Sequence, residues 1–299
     1  MGSGRWTSDS FTTYASTTNY RAMSRDAVFS KSVQAELKTE SIKVRESRDS
    51  ADSPNSTPII LGLDVTGSMG EYAEKIAKDE LPKLMNAILE QSPVADPHLM
   101  FMAVDDVHAY SQTPLQVSQF EADIRILEQL RKIVLVGGGG GNRSESYDLA
   151  WYCAGMKTSI DSFEKRGEKG FLFTFGDEEA PYETMKASEL TAVFGPGQYE
   201  NMQPGEILDA AKKMYNVFHI VIEQGSYART RLNSVKSTWT DMLGNNVLFL
   251  KDFRNLSELV TSTIRIAKGE DLNTVVSNSS ISKDLAYAYQ NAIAQMEAA

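Results

Sequence analysis

The chain has 299 residues and a mass of 33.1 kDa, with 41% hydrophobic and 23% charged residues, a composition typical of one or two globular domains. Its net charge is −10 and its pI about 5.0, and its Lys and Arg form no run or stripe. A nucleic-acid partner is therefore not expected, because phosphate backbones are bound mainly by clustered cations. The sequence contains no apolar run of about 18 residues, so it predicts no membrane span. The N-terminus also lacks the apolar core of a secretory signal.

One cysteine and three histidines restrict the chemistry further. Cys153 has no partner for an internal disulfide, which favours a reducing, cytoplasmic location. The sequence contains no His/Cys cluster, so a zinc site of the common types is not expected. His219 and Cys153 are interpreted as core residues.

Residues 1–57 are rich in Ser and Thr and form a predicted N-terminal arm. Within it, the polar stretch 43–55 is interpreted as a linker. Two interpretations of the arm stay open: a disordered tail, or a segment that orders on a neighbouring subunit. In the second case, single aromatic side chains would be the anchors. These are Trp6, Phe11, Tyr14, Tyr20 and Phe29.

Apolar runs and helical spacing predict the elements of a domain that begins at Pro58. In its first half these are strand 59–63, helix 69–90, strand 99–104, edge strand 115–120, helix 121–131 and helix 144–163. The apolar run 133–136 leads into five glycines at 137–141, just before the last of these helices.

The second half continues the alternation of strands and helices. Its predicted elements are strand 170–175, helix 205–214, strand 217–222, helix 227–243, strand 246–250 and helix 256–268. This order predicts an α/β fold, a doubly wound and mostly parallel sheet flanked by helices over residues 58–268. Residues 269–299 are predicted to be a C-terminal tail or helix.

Polar residues follow the predicted strands at the edge where open α/β sheets bind ligands. They are Asp64, Thr66, Ser68, Asp105, Asp106, Asn142, Ser144, Glu145, Ser146, Asp177, Glu178 and Glu179. Arg143 is the only basic residue in these segments. Carboxylate and hydroxyl oxygens suit a hard divalent cation such as Mg²⁺. The sequence therefore predicts that these acids crowd one edge of the sheet and need a cation.

Phosphate binding and catalysis fit the same residues less well. Residues 137–144 lack the lysine of a P-loop, and residues 64–68 lack a dinucleotide fingerprint. The glycines instead allow a close backbone approach to the site, or form a flexible surface loop. A nucleophilic Ser68 in the hydrolase motif Gly-x-Ser-x-Gly would require glycine at position 66, where this chain has threonine. If Asp64 accepted a phosphoryl group as in enzymes of the haloacid dehalogenase type, an acid would be expected two residues later, where this chain has Thr66.

The run from Ile59 to Met69, which reads IILGLDVTGSM, resembles the start of a von Willebrand factor type A (VWA) domain. The metal-ion-dependent adhesion site (MIDAS) of that family has the pattern Asp-x-[Ser/Thr]-x-Ser, onto which Asp64, Thr66 and Ser68 fall. The sequence Phe-Thr-Phe-Gly-Asp at 173–177 resembles the strand end that carries the family's later aspartate, here Asp177. The resemblance covers residues 58–268 and extends to uncharacterised bacterial and phage proteins of this type.

One departure from the family pattern concerns the threonine expected after the glycines, which this chain lacks. Ser144 or Ser146 could supply the hydroxyl, or Glu145 a carboxylate. A carboxylate at this position would weaken the pull of the cation on a partner's acid. Alternatively, Ser144 is a helix N-cap.

The resemblance implies a mechanism of binding rather than of catalysis. Thr66 and Ser68 would bind Mg²⁺, or Mn²⁺ or Ca²⁺, directly, while Asp64 and Asp177 would act through water or hold the hydroxyls. A partner protein would fill the remaining position with an Asp or Glu. The alternative is a degenerate domain without metal.

Three functions follow from these observations. The first is a non-enzymatic, cation-dependent protein-interaction module. The second is a structural subunit of a larger assembly, such as a phage virion, that self-assembles through its N-terminal arm. The third is a metal-dependent phosphatase.

Overall fold

A six-stranded sheet forms the centre of the computed structural model, which describes residues 24–109, 111, 113–137 and 141–298. The strand order is β4-β3-β2-β6-β7-β8, and every neighbouring pair is parallel except β3 with β4. The strands of this sheet are β2 (Ser56–Asp64), β3 (Asp96–Val104), β4 (Leu115–Val117), β6 (Gly170–Gly176), β7 (Tyr215–Ile222) and β8 (Val247–Leu250). Strands β1 (Arg45–Ser47) and β5 (Thr158–Ile160) form a separate parallel pair.

Helices cover both faces of the sheet, so the predicted α/β class is confirmed. Their bounds are α1 (Arg25–Val28), α2 (Glu71–Lys75), α3 (Leu81–Gln91), α4 (Arg125–Arg131), α5 (Tyr147–Met156), α6 (Asp161–Arg166), α7 (Ala187–Phe194), α8 (Pro204–Met214), α9 (Ser226–Leu243), α10 (Leu256–Ala267), α11 (Leu272–Asn278), α12 (Ser282–Ala288) and α13 (Gln290–Ala298). A π-helical segment, Ile76–Glu80, joins α2 to α3. None of the helices in these described ranges is long and apolar enough to cross a membrane.

Successive side chains of the central strand β2 point to opposite faces of the sheet, so they pack in two different parts of the core. All nine residues of β2 are buried. Leu61 and Leu63 belong to the hydrophobic cluster that includes Leu84 of α3 and Leu259 of α10. Ile60 belongs to the opposite cluster, which contains much of α5, α8 and α9. The strand is buried on both faces, as its continuous apolar run predicts.

The parallel register brings three strand ends to one edge of the sheet. Asp64, the last residue of β2, pairs with Val104 of β3, directly before Asp105. On the other side Leu63 pairs with Phe175 of β6, two residues before Asp177. Residues that are more than 100 positions apart in sequence therefore meet at this edge.

The prediction of one helix over 144–163 is wrong in its second half. Helix α5 ends at Met156, Thr158–Ile160 form β5, and α6 begins at Asp161. Strand β5 pairs with β1, from the stretch 43–55 that was predicted to be a linker, so that prediction is also wrong. The side chain of Arg48 lies 2.8 Å from Asp161 and 2.6 Å from Glu164. Pairing with a segment some 110 residues away overrides the local helical pattern.

The described part of the N-terminal arm packs on its own chain. Val28, Phe29 and Leu37 are buried in the cluster that includes β2. The backbone amide of Arg45 donates to Lys157 O at 2.8 Å. The arm's first four aromatic anchors lie in residues 1–23, outside the described residues, so ordering on a neighbouring subunit stays a prediction.

Smaller differences concern the ends of elements and one added helix. The domain's first strand begins at Ser56 rather than at Ile59, and the helix predicted from residue 69 begins at Glu71. Helix α7 lies between the strand predicted over 170–175 and the helix predicted over 205–214, in a stretch for which the sequence predicts no element. The C-terminal stretch forms α11 to α13, of which Leu285 and Ala288 are buried in the core.

Candidate metal centre

Two carboxylates and two hydroxyls converge where β2 and β6 end. Asp64 closes β2, and Thr66 and Ser68 stand in the turn that leads to α2. Asp177 follows β6 directly. Asp64 and Asp177 are fully buried and Thr66 is 1% exposed. The alternate positions of the Asp-x-Thr-x-Ser turn point to one side, where their side chains are hydrogen-bonded to one another.

A chain of hydrogen bonds links these four side chains. The Thr66 hydroxyl and its backbone amide donate to Asp64 Oδ1 at 2.6 and 2.9 Å. Thr66 Oγ1 lies 3.1 Å from Ser68 Oγ, and the Ser68 hydroxyl donates to Asp177 Oδ1 at 2.7 Å. The two hydroxyl oxygens thus lie next to each other, each held by one carboxylate.

The N-terminus of α9 holds the second oxygen of Asp177. The amide of Tyr227 donates to Asp177 Oδ2 at 2.9 Å, where the helix dipole also favours negative charge. Gly225 makes this approach possible, because a Cβ at that position would lie 2.2 Å from Asp177 Oδ2. The helix start is also tied to the turn, since the Ser226 amide donates to Ser68 O at 2.9 Å.

Tyr147 performs the corresponding role for Asp64. Its hydroxyl donates to Asp64 Oδ2 at 2.7 Å from the first position of α5. A Cβ on Gly176 would lie 2.0 Å from this hydroxyl, so glycine is needed at the end of β6. The ring packs edge-on against His219 and Trp239. Tyr147 is fully buried and was not predicted from the sequence.

Negative charge accumulates at this edge, and the described residues place no buried Lys or Arg there to balance it. Burial, followed by the charge of Asp177, raises the pKa of Asp64. Burial also raises the pKa of Asp177, and it raises that of Glu178 to about 8 with the help of Asp64 and Asp177. Each of these shifts means that the charged form is destabilised as long as no cation is near.

Within the loop after the glycines, Glu145 is the acid with a buried oxygen that has no hydrogen-bond partner. It is 2% exposed, and its Oε2 has no hydrogen-bond partner. Burial, then the charge of Asp64, raises its pKa. Ser146 instead donates to Asp106 at 2.9 Å and accepts from the Val107 amide. The Ser144 hydroxyl donates to Glu145 O at 3.0 Å.

The prediction that Ser144 caps a helix is wrong, because α5 begins at Tyr147. Ser146 precedes the helix, and its side chain makes no capping bond. Of the three loop candidates, Glu145 is the one with a charge that interacts with that of Asp64. Glycines 138–140 lie outside the described residues.

Of the remaining acids, Glu178 interacts with Ser68, whereas Asp105, Asp106 and Glu179 hold the surrounding loops. Asp105 accepts the Ser111 hydroxyl at 2.6 Å, and Asp106 accepts the Asn142 amide at 2.7 Å. Glu179 accepts hydroxyls from Tyr227 and Ser234. These last three acids are buried and lie at the predicted edge, but their hydrogen bonds tie loops together rather than point to the two hydroxyls.

The donor set fits a hard divalent cation. Two carboxylates, two adjacent hydroxyls and the free Glu145 oxygen are all oxygen ligands of the kind that Mg²⁺ takes. Among the described residues no three His, Cys, Asp or Glu side chains are arranged to hold a metal. A metal here would accordingly depend on Thr66 and Ser68.

The other sequence candidates lie in the core. His219 is fully buried, its Nδ1 lies 2.8 Å from Thr174 Oγ1, and burial lowers its pKa. Cys153 is fully buried, and burial raises its pKa to about 12, so it is not a reactive thiol. Both agree with the interpretation as core residues.

No family model and no curated protein matches the sequence. Similar solved structures include the pilus adhesin SpaC from Lactobacillus rhamnosus GG in its open conformation (TM-score 0.44, 8% identity, 70% of this chain and 30% of that chain). A von Willebrand factor type A protein from Catenulispora acidiphila has a TM-score of 0.40 and 13% identity over 73% of this chain and 44% of that chain. An aerotolerance-related membrane protein from Bacteroides fragilis NCTC 9343 has a TM-score of 0.41 and 11% identity, covering 70% and 99% of the two chains. The chain spans less than half the length of the first two.

Proposed function

We propose that the chain is a protein-interaction module of the VWA type that binds a divalent cation, with Mg²⁺ as the first choice. The cation is held by Thr66 and Ser68, with Asp64, Asp177 and Glu145 around it. A carboxylate of a partner protein completes its coordination. The proposal includes no catalytic step and therefore no phosphatase activity.

One observation supports this proposal above the others. The hydroxyl oxygens of Thr66 and Ser68 lie 3.1 Å apart between two buried carboxylates. Such a pair of acids is costly to bury without a cation. The geometry supplies oxygen ligands from four side chains that lie together.

In the proposed mechanism this chain's residues orient oxygens and exclude water. When bound, the cation supplies a positive charge that attracts an incoming carboxylate. Tyr147 and the Tyr227 amide each fix the outer oxygen of one aspartate. Asp64 and Asp177 then hold the hydroxyl groups of Thr66 and Ser68 in place.

Thermal unfolding in a series of Mg²⁺ concentrations tests the metal site. Binding to the folded chain alone is expected to raise the melting temperature, with a gain of about 2.7 kcal/mol at 100 times the Kd. Asp64→Asn is expected to remove this response and to raise the stability of the metal-free chain, because it removes one buried charge. Asp209→Asn, on the exposed face of α8, is the matched control and should keep the response.

Propionate, as a stand-in for a partner's Glu, tests the carboxylate part of the proposal. It should stabilise the chain further only in the presence of Mg²⁺, with sodium chloride at equal ionic strength as the control. A melting temperature that does not change with Mg²⁺ concentration would contradict the proposal of a metal site. A Mg²⁺ response without any propionate effect would contradict the carboxylate-binding step.

The alternative function, a subunit tethered through its N-terminal arm, depends on residues 1–23. Those residues lie outside the described part of the chain, and no contact in that part favours this function.

A further inference from the structure

A surface of arginine and tyrosine side chains borders the candidate metal centre where α9 begins. Its members, which we call the Arg–Tyr surface, are Arg143, Tyr182, Tyr227 and Arg231. Both arginines are exposed and Tyr182 is 45% exposed. Glu183 follows Tyr182 in the chain, but its carboxylate lies 3.8 Å from Nδ1 of His108. The exposed charge of the Arg–Tyr surface is therefore positive.

The same segments hold the Arg–Tyr surface and the metal centre. Buried Glu179 accepts the Tyr227 hydroxyl at 3.2 Å, and its backbone amide donates to Arg143 O at 3.0 Å. Tyr227 also donates its own amide to Asp177 Oδ2, and the preceding residue of α9 donates to Ser68 O. A partner that approaches Ser68 therefore meets the start of α9 and the loop after β6, which carry this surface.

Each arginine lies against one tyrosine ring. The Cζ atom of Arg143 is 4.6 Å from the ring centroid of Tyr182, and that of Arg231 is 5.4 Å from the ring centroid of Tyr227. Cation–π attraction of this kind restrains a guanidinium and leaves N–H groups at its edge for a ligand. Within the part of the chain that the structure describes, neither guanidinium forms an ion pair with a carboxylate.

We propose that the Arg–Tyr surface binds additional carboxylates of the partner protein, which makes the partner an acidic segment rather than a single Asp or Glu. The inference rests on the proposed function, because one carboxylate of this segment would meet the cation. A guanidinium with unused N–H groups binds carboxylates through charge-assisted hydrogen bonds. Arginine and tyrosine are also among the residues that contribute most to the binding energy of protein interfaces.

The charge of the whole chain makes this contact selective. At a net charge of −10 the chain repels acidic segments at long range, so their binding depends on the two exposed arginines. A nucleic acid is a less suitable ligand, because two arginines neutralise few phosphates. The cation would accept any accessible carboxylate, whereas Arg143 and Arg231 would select a partner that presents several.

The experiment measures the affinity of a fluorescein-labelled hexaglutamate peptide for the full chain in Mg²⁺ by fluorescence anisotropy. The comparison peptide has a single Glu among Gln residues. Hexaglutamate is expected to bind more tightly. Arg143→Gln and Arg231→Gln should each weaken its binding about two- to fivefold, as expected for an exposed ion pair, and leave the comparison peptide unchanged.

Lys213→Gln is the matched control. It also removes one exposed positive charge, but Lys213 lies in the last turn of α8, which leads into the start of β7 at the opposite end of the sheet. This variant should bind hexaglutamate as tightly as the wild type. The double variant with Arg143→Gln and Arg231→Gln should lose roughly tenfold in affinity, since each substitution removes a separate contact.

Each outcome decides the proposal. Equal affinities of the two peptides, or no binding of hexaglutamate, would overturn it. A loss in Lys213→Gln as large as in the arginine variants would also overturn it, because any positive charge would then be sufficient. Tighter binding of oligothymidylate than of hexaglutamate would overturn it in favour of a nucleic-acid ligand.

The same titrations without Mg²⁺ separate this proposal from the metal site. If hexaglutamate binding depends on the arginines and does not change when Mg²⁺ is removed, the metal proposal fails alone. If both peptides require Mg²⁺ and the arginine substitutions have no effect, the proposal for the Arg–Tyr surface fails alone.

Discussion

Tyr147 is the single residue on which the orientation of Asp64 depends most directly. We expect Tyr147→Phe to weaken Mg²⁺ binding by about tenfold or more, the range seen when groups that orient metal ligands are removed. The ring keeps its packing against His219 and Trp239, so only the hydroxyl that donates to Asp64 is lost. Titration calorimetry with Mg²⁺ measures the change.

Tyr152→Phe is the control for this substitution. Tyr152 lies on the same helix and is 5% exposed, but it packs on Phe194, away from the site. Equal Mg²⁺ affinities for the two variants would show that the Tyr147 hydroxyl has no role in holding Asp64.

Asp148 should make the stability of the chain depend on pH. Burial raises its pKa from the ordinary 3.8 to about 7. Since the folded chain binds this proton more tightly than the unfolded chain, the free energy of unfolding falls as pH rises from about 4 to about 7. Asp148→Asn removes this loss, and above that interval it should be more stable than the wild type by up to about 4 kcal/mol.

Urea unfolding of both chains across this pH interval checks the prediction, with Asp209→Asn as an exposed control. The quantity to compare is the difference between variant and wild type at each pH. A difference that stays constant with pH would mean that Asp148 does not carry the raised pKa.

At the site, the sequence predicts the residues that follow a local pattern. Asp64, Thr66 and Ser68 are spaced by two in one turn, and Asp177 follows a recognisable buried strand. Tyr147 could not be predicted in this way, because its hydroxyl reaches Asp64 only where Gly176, which has no side chain, leaves room for it. The choice among the loop candidates likewise required the contacts of Ser146 with Asp106 and Val107.

At the scale of elements, the start of α9 is fitted to Asp177 through Gly225. We expect Gly225→Ala to weaken Mg²⁺ binding and to cost about 1–3 kcal/mol of stability, as overpacking does. Gly225 has φ −61° and ψ 153°, which alanine adopts easily, so the effect comes from the clash with Asp177. Chemical unfolding and a Mg²⁺ titration measure the two consequences.

Gly205→Ala provides the comparison. Gly205 stands near the start of α8, and no atom lies within 4 Å of the position of its added Cβ. That variant should keep Mg²⁺ affinity, and helix propensity favours it slightly. If Gly225→Ala behaves in the same way, α9 does not need its close approach to the site.

Most elements of the sheet could be predicted because each buried strand is a continuous apolar run between turn residues. The two failures at β1 and β5 share one physical cause, which is pairing between distant segments. Thr158–Ile160 continue a helical pattern locally but form β5 because β1 pairs with them. The polar stretch that contains β1 has no apolar run to reveal it, since Arg48 binds Asp161 and Glu164 through charge.

At the scale of the whole molecule, the N-terminal arm is part of the fold from Val28 onwards. Leu37 is fully buried in the same cluster as the central strand β2. We therefore expect Leu37→Ala to lower the free energy of unfolding by about 2–5 kcal/mol, the usual cost of truncating a buried leucine. Val44→Ala is the matched control, because Val44 lies in the same segment and is 49% exposed. Its cost should stay within about 0.5 kcal/mol. Urea unfolding measures both, and equal costs would mean that the arm is only loosely attached to the domain.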